Sequence, residues 1–592
     1  MRGASAARHR QMRDKLKDIL LQVQKPARYV GGEYNLPDMD KECSERVLLC
    51  FSDKYEVGMS NIGTRILYHM LNDTDGVVCE RCYAPDLDMA ELLHKNSLPL
   101  FSLETKRDAK QFDLIGFSIG FELQFTNVVY MLDLMGAPYY ANQRGEDFPP
   151  IVAGGPCVVN PMPFAPFFDA VLIGEGEKNL KELTLLHMQC REGKVSKAEF
   201  LQRASKLDGV YVPSLNNRTK RAVVKDLDKA YYPTKVLVPN CDIVHDRSSI
   251  ELFRGCANGC RFCQAGVYYR PIRERSVDTL VRQACELMDN TGYDELGLLS
   301  LSTSDYSQLK ELVDKIKVEA DKRKVKVALP SLRLDSFEAE IYDGIQGASL
   351  TFAPEAGTQR LRDVINKNIN EEDILTSLTT AMKYGVKNVK LYFIIGLPTE
   401  REEDLQGIVD IVHLIKKLHA QYGTSKLLNI TVSTSVFIPK PLTPFQWESQ
   451  ITIEQMRQKQ AFMREKLRIK NVKYSWHGAE SSVIEAILAR GDKSLAKAIV
   501  KAYELGCVFD SWSENFYYDR WMAAFEQSGV DYQKFLDGFA EDEELPWDIV
   551  DNGVTKSYLL NERHKAYDGQ STPNCLDKCN GCGANRLERC RI

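Results

Sequence analysis

The sequence predicts an α/β chain in three parts: a doubly wound, Rossmann-like N-terminal domain, a (β/α)6 partial TIM barrel, and a mainly helical region ending in a cysteine-rich tail. Three observations predict it. Apolar strand-like runs alternate with helical periodicity over residues 40–200, the pattern of an open parallel sheet covered by helices on both faces. A second alternating series starts at residue 249. Seven of the 16 cysteines fall in two tight groups, Cys256, Cys260, Cys263 and Cys575, Cys579, Cys582, Cys590.

The bulk numbers bound the rest. A chain of 592 residues exceeds one core, and roughly 100–200 residues per domain imply several units. Hydrophobic residues at 44% and charged residues at 27% are ordinary globular composition. A net charge of −5 gives no global field toward nucleic acid or anionic membrane, while leaving room for a local basic patch. No apolar run reaches the roughly 20 residues a bilayer demands. The N-terminal extension, residues 1–39, begins basic but lacks the apolar stretch of a secretory signal and reads as a charged amphipathic helix. The default compartment is the cytoplasm, with no membrane partner.

In chain order, residues 46–52 (RVLLCFS) read as a buried strand, followed by a helix with Ile62, Ile66, Leu67 and Met70 on one face. Further strands are expected at 77–85, 112–120, 150–156 and 168–177, with helices between them. Cys79 and Cys82 form a C-x-x-C read as having no metal role. Residues 201–248 are turn-rich and proline-bearing, a connector. The barrel, 249–449, then offers six strands: SSIELFRG, ELGLLSLST, VKVALPSLR, ASLTFAPEA, NVKLYFIIG and NITVSTSVF. Barrels of this kind carry their chemistry at the C-terminal strand ends. Residues 450–570 read as mainly helical. The tail, 571–592, is short of apolar residues, so a metal is expected to order it.

The loop after the first barrel strand reads FRGCANGCRFC, placing Cys256, Cys260 and Cys263 at C-x3-C-x2-C spacing. Thiolates suit iron–sulfur clusters, and three of them leave one iron of a [4Fe–4S] cluster open. A structural zinc site would want a fourth ligand, which the loop does not offer. This spacing, with Phe262 before the last cysteine, resembles the radical S-adenosylmethionine (SAM) superfamily. The resemblance implies a [4Fe–4S] cluster and SAM, reductive cleavage of SAM to a 5′-deoxyadenosyl radical, and an electron donor such as a flavodoxin or ferredoxin. It also implies SAM contacts at later strand ends: Ser302 and Ser304 after strand two, Arg333 and Asp335 after strand three, Glu355 after strand four, and Gly396 after strand five.

The N-terminal domain is similar to the cobalamin-binding domain that precedes the barrel in one class of these enzymes. Asp53 and Gly58 fit the spacing of its first loop, but Tyr55 stands where the cobalt-binding histidine would be. Gly154 and Gly155 end a later strand. Two readings stay open: cobalamin bound without a histidine lower ligand, or a domain that keeps the fold as scaffold or substrate site. At the tail, Cys575, Cys579, Cys582 and Cys590 suit either zinc or a second iron–sulfur cluster.

Nearly the whole chain resembles one family of cobalamin-domain radical SAM proteins, through YEVGMSNIGTRILYHMLN, FRGCANGCRFCQAG, TFAPEAGTQRLRDVINKN, FIPKPLTPFQW and NCLDKCNGCGAN. That resemblance implies a small extra domain on a separate partner chain, and it supplies no substrate. Three functions compete: an enzyme acting on a small molecule or cofactor precursor; an RNA- or protein-modifying enzyme transferring methyl or methylthio groups; and a non-catalytic cluster-binding assembly protein. Arg254, Arg261, Arg270, Arg273 and Arg275 surround the cysteine loop, and they either meet phosphates or pair with acidic neighbours.

Overall fold

The computed structural model describes residues 12–328 and 349–590. Residues 12–20 are helical and bury Met12, Leu16 and Ile19, an amphipathic helix as the sequence predicts. Six strands follow: β1 (Glu45–Phe51), β2 (Val77–Tyr83), β3 (Leu114–Ser118), β4 (Ile151–Gly154), β5 (Ala170–Leu172) and β6 (Val210–Tyr211). They form one sheet in the order β2-β1-β3-β4-β5-β6, parallel except for the β5–β6 pair. Val47 through Phe51 are all buried, as an apolar run must be when helices cover both faces. The helix Ile62–Asn72 starts where the Asn61 side chain accepts the Thr64 N–H at 2.8 Å. The order reverses between β1 and β3, and ligands of such sheets bind outside the strands' carboxyl ends. The sheet runs on to Tyr211, beyond the boundary at 200 that the sequence suggests. β6 is only two residues long, too short to show a period.

The barrel strands are β7 (Ser248–Glu251), β8 (Glu295–Leu299), β9 (Lys326–Ala328), β10 (Ser349–Glu355), β11 (Asn388–Ile395), β12 (Asn429–Val436) and β13 (Val472–Trp476). They lie in two parallel sheets, β9-β8-β7 and β10-β11-β12-β13. Along β11, Val389, Leu391, Phe393 and Ile395 are buried and alternate with more exposed residues, the two-sided pattern of a barrel wall. β13 adds a strand to the six expected, within a stretch, 450–570, that is otherwise mainly helical as the sequence predicts. Its sequence, VKYSW, alternates apolar and polar residues over only five positions, a short strand signal inside a region whose other segments read as helix. It forms because β12 offers a partner edge, with Thr434 paired to Trp476.

The helices Ala479–Arg490, Leu495–Glu504, Tyr518–Ser528 and Lys556–Tyr567 make up the C-terminal region. They clasp the N-terminal domain. Asp510 accepts the Thr126 hydroxyl at 2.6 Å, and Asn127 Oδ1 accepts the Phe509 N–H at 2.7 Å. No helix among the described residues is long and apolar enough to cross a membrane.

Candidate functional site

The cysteine loop follows β7 directly. Gly255 precedes it at φ +92°, and a Cβ there would lie 2.8 Å from the Pro271 carbonyl, so the approach requires glycine. Cys263 caps the short helix Gln264–Tyr268, its sulfur accepting the Gly266 N–H at 3.3 Å. Burial pushes the Cys263 thiol up, while that N–H favours the thiolate. Asn258 reaches two ways, donating to Cys256 Sγ at 3.6 Å and to Asp305 Oδ2 at 2.8 Å. The second bond ties the end of β8, with Ser302 and Ser304, to the loop. The Ser302 hydroxyl is buried without a hydrogen-bond partner among the described residues.

Glu355 ends β10 at φ +65° and pairs with Lys367 at 3.2 Å; burial raises its carboxyl and Lys367 opposes the rise. Gly396 ends β11 at φ +80°, its N–H bonded to Glu400 at 2.9 Å. Arg333 and Asp335 lie outside the described residues. Among the described residues, no three Cys, His, Asp or Glu side chains converge on a single metal ion. In a cubane cluster each thiolate takes its own iron.

The arginines around the loop are internal. Arg261 is fully buried, donating to Glu562 Oε2 at 3.1 and 3.2 Å and to the carbonyls of Asp363, Val364 and Gln570. Arg254 pairs with Glu251 and Glu177, Arg273 with Glu175, and Arg275 with Glu251. Arg270 bonds Gly266 O, Asn258 O and the Tyr558 hydroxyl. The phosphate reading of these five residues therefore fails, because their guanidinium groups are turned into the protein and away from solvent. Burial alone would raise the Glu175 carboxyl, but Arg254, Arg273 and Arg221 bring it down to about 2.

A cavity of about 440 Å³ lies between the carboxyl ends of the N-terminal sheet and the barrel rim. Ser118, Gly154, Gly155 and Gly174 line it from one side, and Phe253, Gly255 and Leu301 from the other. Gly154 and Gly155 thus stand where the sequence reading puts them. Asp53, Tyr55 and Gly58 do not line it. Asp53 accepts the Trp512 indole N–H at 3.0 Å and the Gln124 amide at 2.9 Å. Tyr55 donates to Glu33 at 3.1 Å, and Gly58 packs under Tyr83. Through Trp512, Asp53 ties this loop to the C-terminal region.

Sequence reasoning missed a second cavity, about 280 Å³, lined by Phe262, Ser435, Lys440, His477 and Glu485. It sits at the carboxyl ends of β11, β12 and β13. His477 follows the unread strand β13, so only recognising that strand could have placed it. Half-buried Lys440 bridges Glu122 of the N-terminal domain at 2.6 Å and Glu485 at 2.8 Å.

The tail is seated on the loop by hydrogen bonds. Cys575 N–H donates to Ala257 O at 3.0 Å, Asn574 Nδ2 to Asn258 Oδ1 at 3.3 Å, and Thr572 N–H to Asn366 Oδ1 at 2.7 Å. These bonds tie the tail to the loop through the protein's own groups.

Two family models match this chain: "Radical SAM proteins, N-terminal" over residues 63–213 and "Radical SAM superfamily" over residues 250–412. An uncharacterised protein of Methanocaldococcus jannaschii is 27% identical over 497 residues, 82% of this chain and 98% of its own length. The tRNA-2-methylthio-N(6)-dimethylallyladenosine synthase of Petrotoga mobilis is 24% identical over 234 residues, 36% of this chain and 53% of its own. The solved structure of the radical SAM methyltransferase TsrM from Kitasatospora setae, with cobalamin and a [4Fe–4S] cluster bound, shares 14% identity at a TM-score of 0.46, covering 66% of this chain and 75% of that one. The chain belongs to the radical SAM superfamily and is a radical SAM enzyme, a membership that implies a [4Fe–4S] cluster and SAM.

Proposed function

We propose that Cys256, Cys260 and Cys263 hold the catalytic cluster, and that the substrate of the radical chemistry enters the 440 Å³ cavity between the domains. The observation that carries this reading is the shared wall: Gly255, next to Cys256, lines the same cavity as Gly154 and Gly155 of the N-terminal sheet. When bound, the cluster supplies one electron that opens a carbon–sulfur bond of SAM, leaving methionine and a 5′-deoxyadenosyl radical.

The chain's own residues do the positioning. The Gly266 N–H and Asn258 amide orient two of the thiolates. Ser302, Ser304, Glu355, Lys367 and Gly396 present polar groups at strand ends around the loop, suited to the amino, carboxylate and ribose groups of SAM. The cavity beside Phe262 offers the nucleoside an aromatic wall.

The interdomain cavity also fits a planar group such as a corrinoid. A Cβ on Gly63 would meet only the Asn61 side chain, at 3.4 Å, and so would stand in the cavity. The described lining contains no histidine, so a corrinoid held there would take no imidazole from this wall. With a corrinoid, the reaction class is methyl transfer or ring chemistry.

The synthase from Petrotoga mobilis supports a second reading, methylthio transfer to RNA. The internal pairing of the five arginines counts against RNA at this mouth and favours a small molecule. The test is anaerobic reconstitution with iron and sulfide, followed by detection of 5′-deoxyadenosine, corrinoid extraction and RNA binding across salt. Turnover is expected in the parent protein and none in C256A/C260A/C263A. Turnover in the triple variant would sink the proposal. RNA binding whose affinity falls steeply with salt would shift the substrate to RNA.

A further inference from the structure

The four cysteines of the tail are not used by the chemistry above. Cys575, Cys579, Cys582 and Cys590 line one cavity of about 300 Å³, and Cys256 is in its wall. A mononuclear zinc site would need no such volume, since its four sulfurs close to about 2.3 Å from one ion. The cavity has a second unusual wall. Arg270, 3% exposed, lines it, and among the described residues the acceptors of its guanidinium are neutral: the Gly266 and Asn258 carbonyls and the Tyr558 hydroxyl. A buried cation without a carboxylate partner is costly unless an anion shares its site. A [4Fe–4S] core held by four thiolates is such an anion.

We propose that Cys575, Cys579, Cys582 and Cys590 hold a second iron–sulfur cluster beside the loop of the first, and that it is the point where electrons enter. The inference rests on the reading of Cys256, Cys260 and Cys263 as the site of the first cluster. Four thiolates occupy all four irons, so the second cluster has no open corner for a substrate and serves as a relay. Cys579 is exposed, offering a surface for a donor, while Cys256 and the tail share a cavity on the inner side. The step balances simply. One electron leaves a reduced flavodoxin or ferredoxin, reduces the tail cluster from the 2+ to the 1+ state, and passes on to the first cluster, returning the tail cluster to 2+. The donor ends one electron oxidised, and no proton or covalent bond moves.

The test uses the full chain, reconstituted without oxygen, as the parent and as C579S/C582S. The parent is expected to hold about eight irons per chain and negligible zinc, and the variant about four. The variant's remaining cluster should still change its electron paramagnetic resonance signal when SAM is added, which locates the loss at the tail. Its reduction by flavodoxin should slow at least tenfold, while reduction by dithionite keeps its rate. A parent with about four irons, or with zinc at the tail, overturns the proposal even if the variant misfolds. So does a variant that keeps all its iron, or one that flavodoxin reduces at the parental rate. Failure of the first cluster looks different: C256A/C260A/C263A then keeps the SAM response.

Discussion

Arg261 stands between two of the loop cysteines with no exposure to solvent, and Glu562, equally buried, is its partner from a helix 301 residues away. Removing Arg261 takes from Glu562 its fully buried partner and leaves it the half-buried Lys565 at 2.9 Å, and removing Glu562 leaves the Arg261 charge with carbonyl acceptors among the described residues. R261A is therefore expected to lose about 3–5 kcal/mol of stability, read from chemical unfolding of the unreconstituted chain. Glu175 makes a pH-dependent contribution. Its folded pKa is depressed, so the contribution is fully present above the ordinary carboxylate value and is lost as pH falls through about 2. The stability gap between the parent and E175Q should be widest near neutrality and close progressively below about pH 4.5. A gap that does not change with pH would contradict the assignment of the Arg254 and Arg273 pairs. These residues also mark the limit of what spacing reveals. The three loop cysteines are legible because a cluster needs a fixed local pattern of one residue type. Partnerships such as Arg261–Glu562 or Asp53–Trp512 join distant stretches, and nothing local in either stretch announces the other.

The elements divide the same way. β1, β3 and β11 are legible because apolar runs and alternation follow from burial on one or both faces. β13 alternates too, with Val472 and Tyr474 packed half-buried on the core, but its five residues are too short to stand out among helices. The tail is a third case, an element ordered by contacts to a loop rather than by a core. Truncation after residue 570 removes the Cys575–Ala257 and Asn574–Asn258 bonds and uncovers the wall at Cys256. The truncated protein, reconstituted, is expected to lose the iron of its loop cluster in air several times faster than the full chain. An unchanged rate of bleaching would mean that the tail gives the loop no shelter.

Across the whole molecule, the loop between the helices Leu495–Glu504 and Tyr518–Ser528 and the segment after β12 tie the N-terminal domain to the rest at several separate points. Asp510 and Phe509 hold the helix Phe125–Leu134, Trp512 holds Asp53, and Lys440 bridges Glu122 and Glu485. Within the connector, residues 240–247 are exposed or half-buried, Val244 at 59%. Cleavage within residues 240–247 should leave both fragments co-eluting on gel filtration without denaturant, because non-covalent contacts already join the parts. Separation on cleavage would show that the tether alone holds them.

The seating of Asn574 on Asn258 spans 316 residues. During synthesis the three loop thiols emerge long before the segment that covers them. Iron delivered to the nascent polypeptide would meet thiols still open to water and oxygen. Maturation of this protein should therefore follow translation, with metal loaded onto a chain whose end has already folded back.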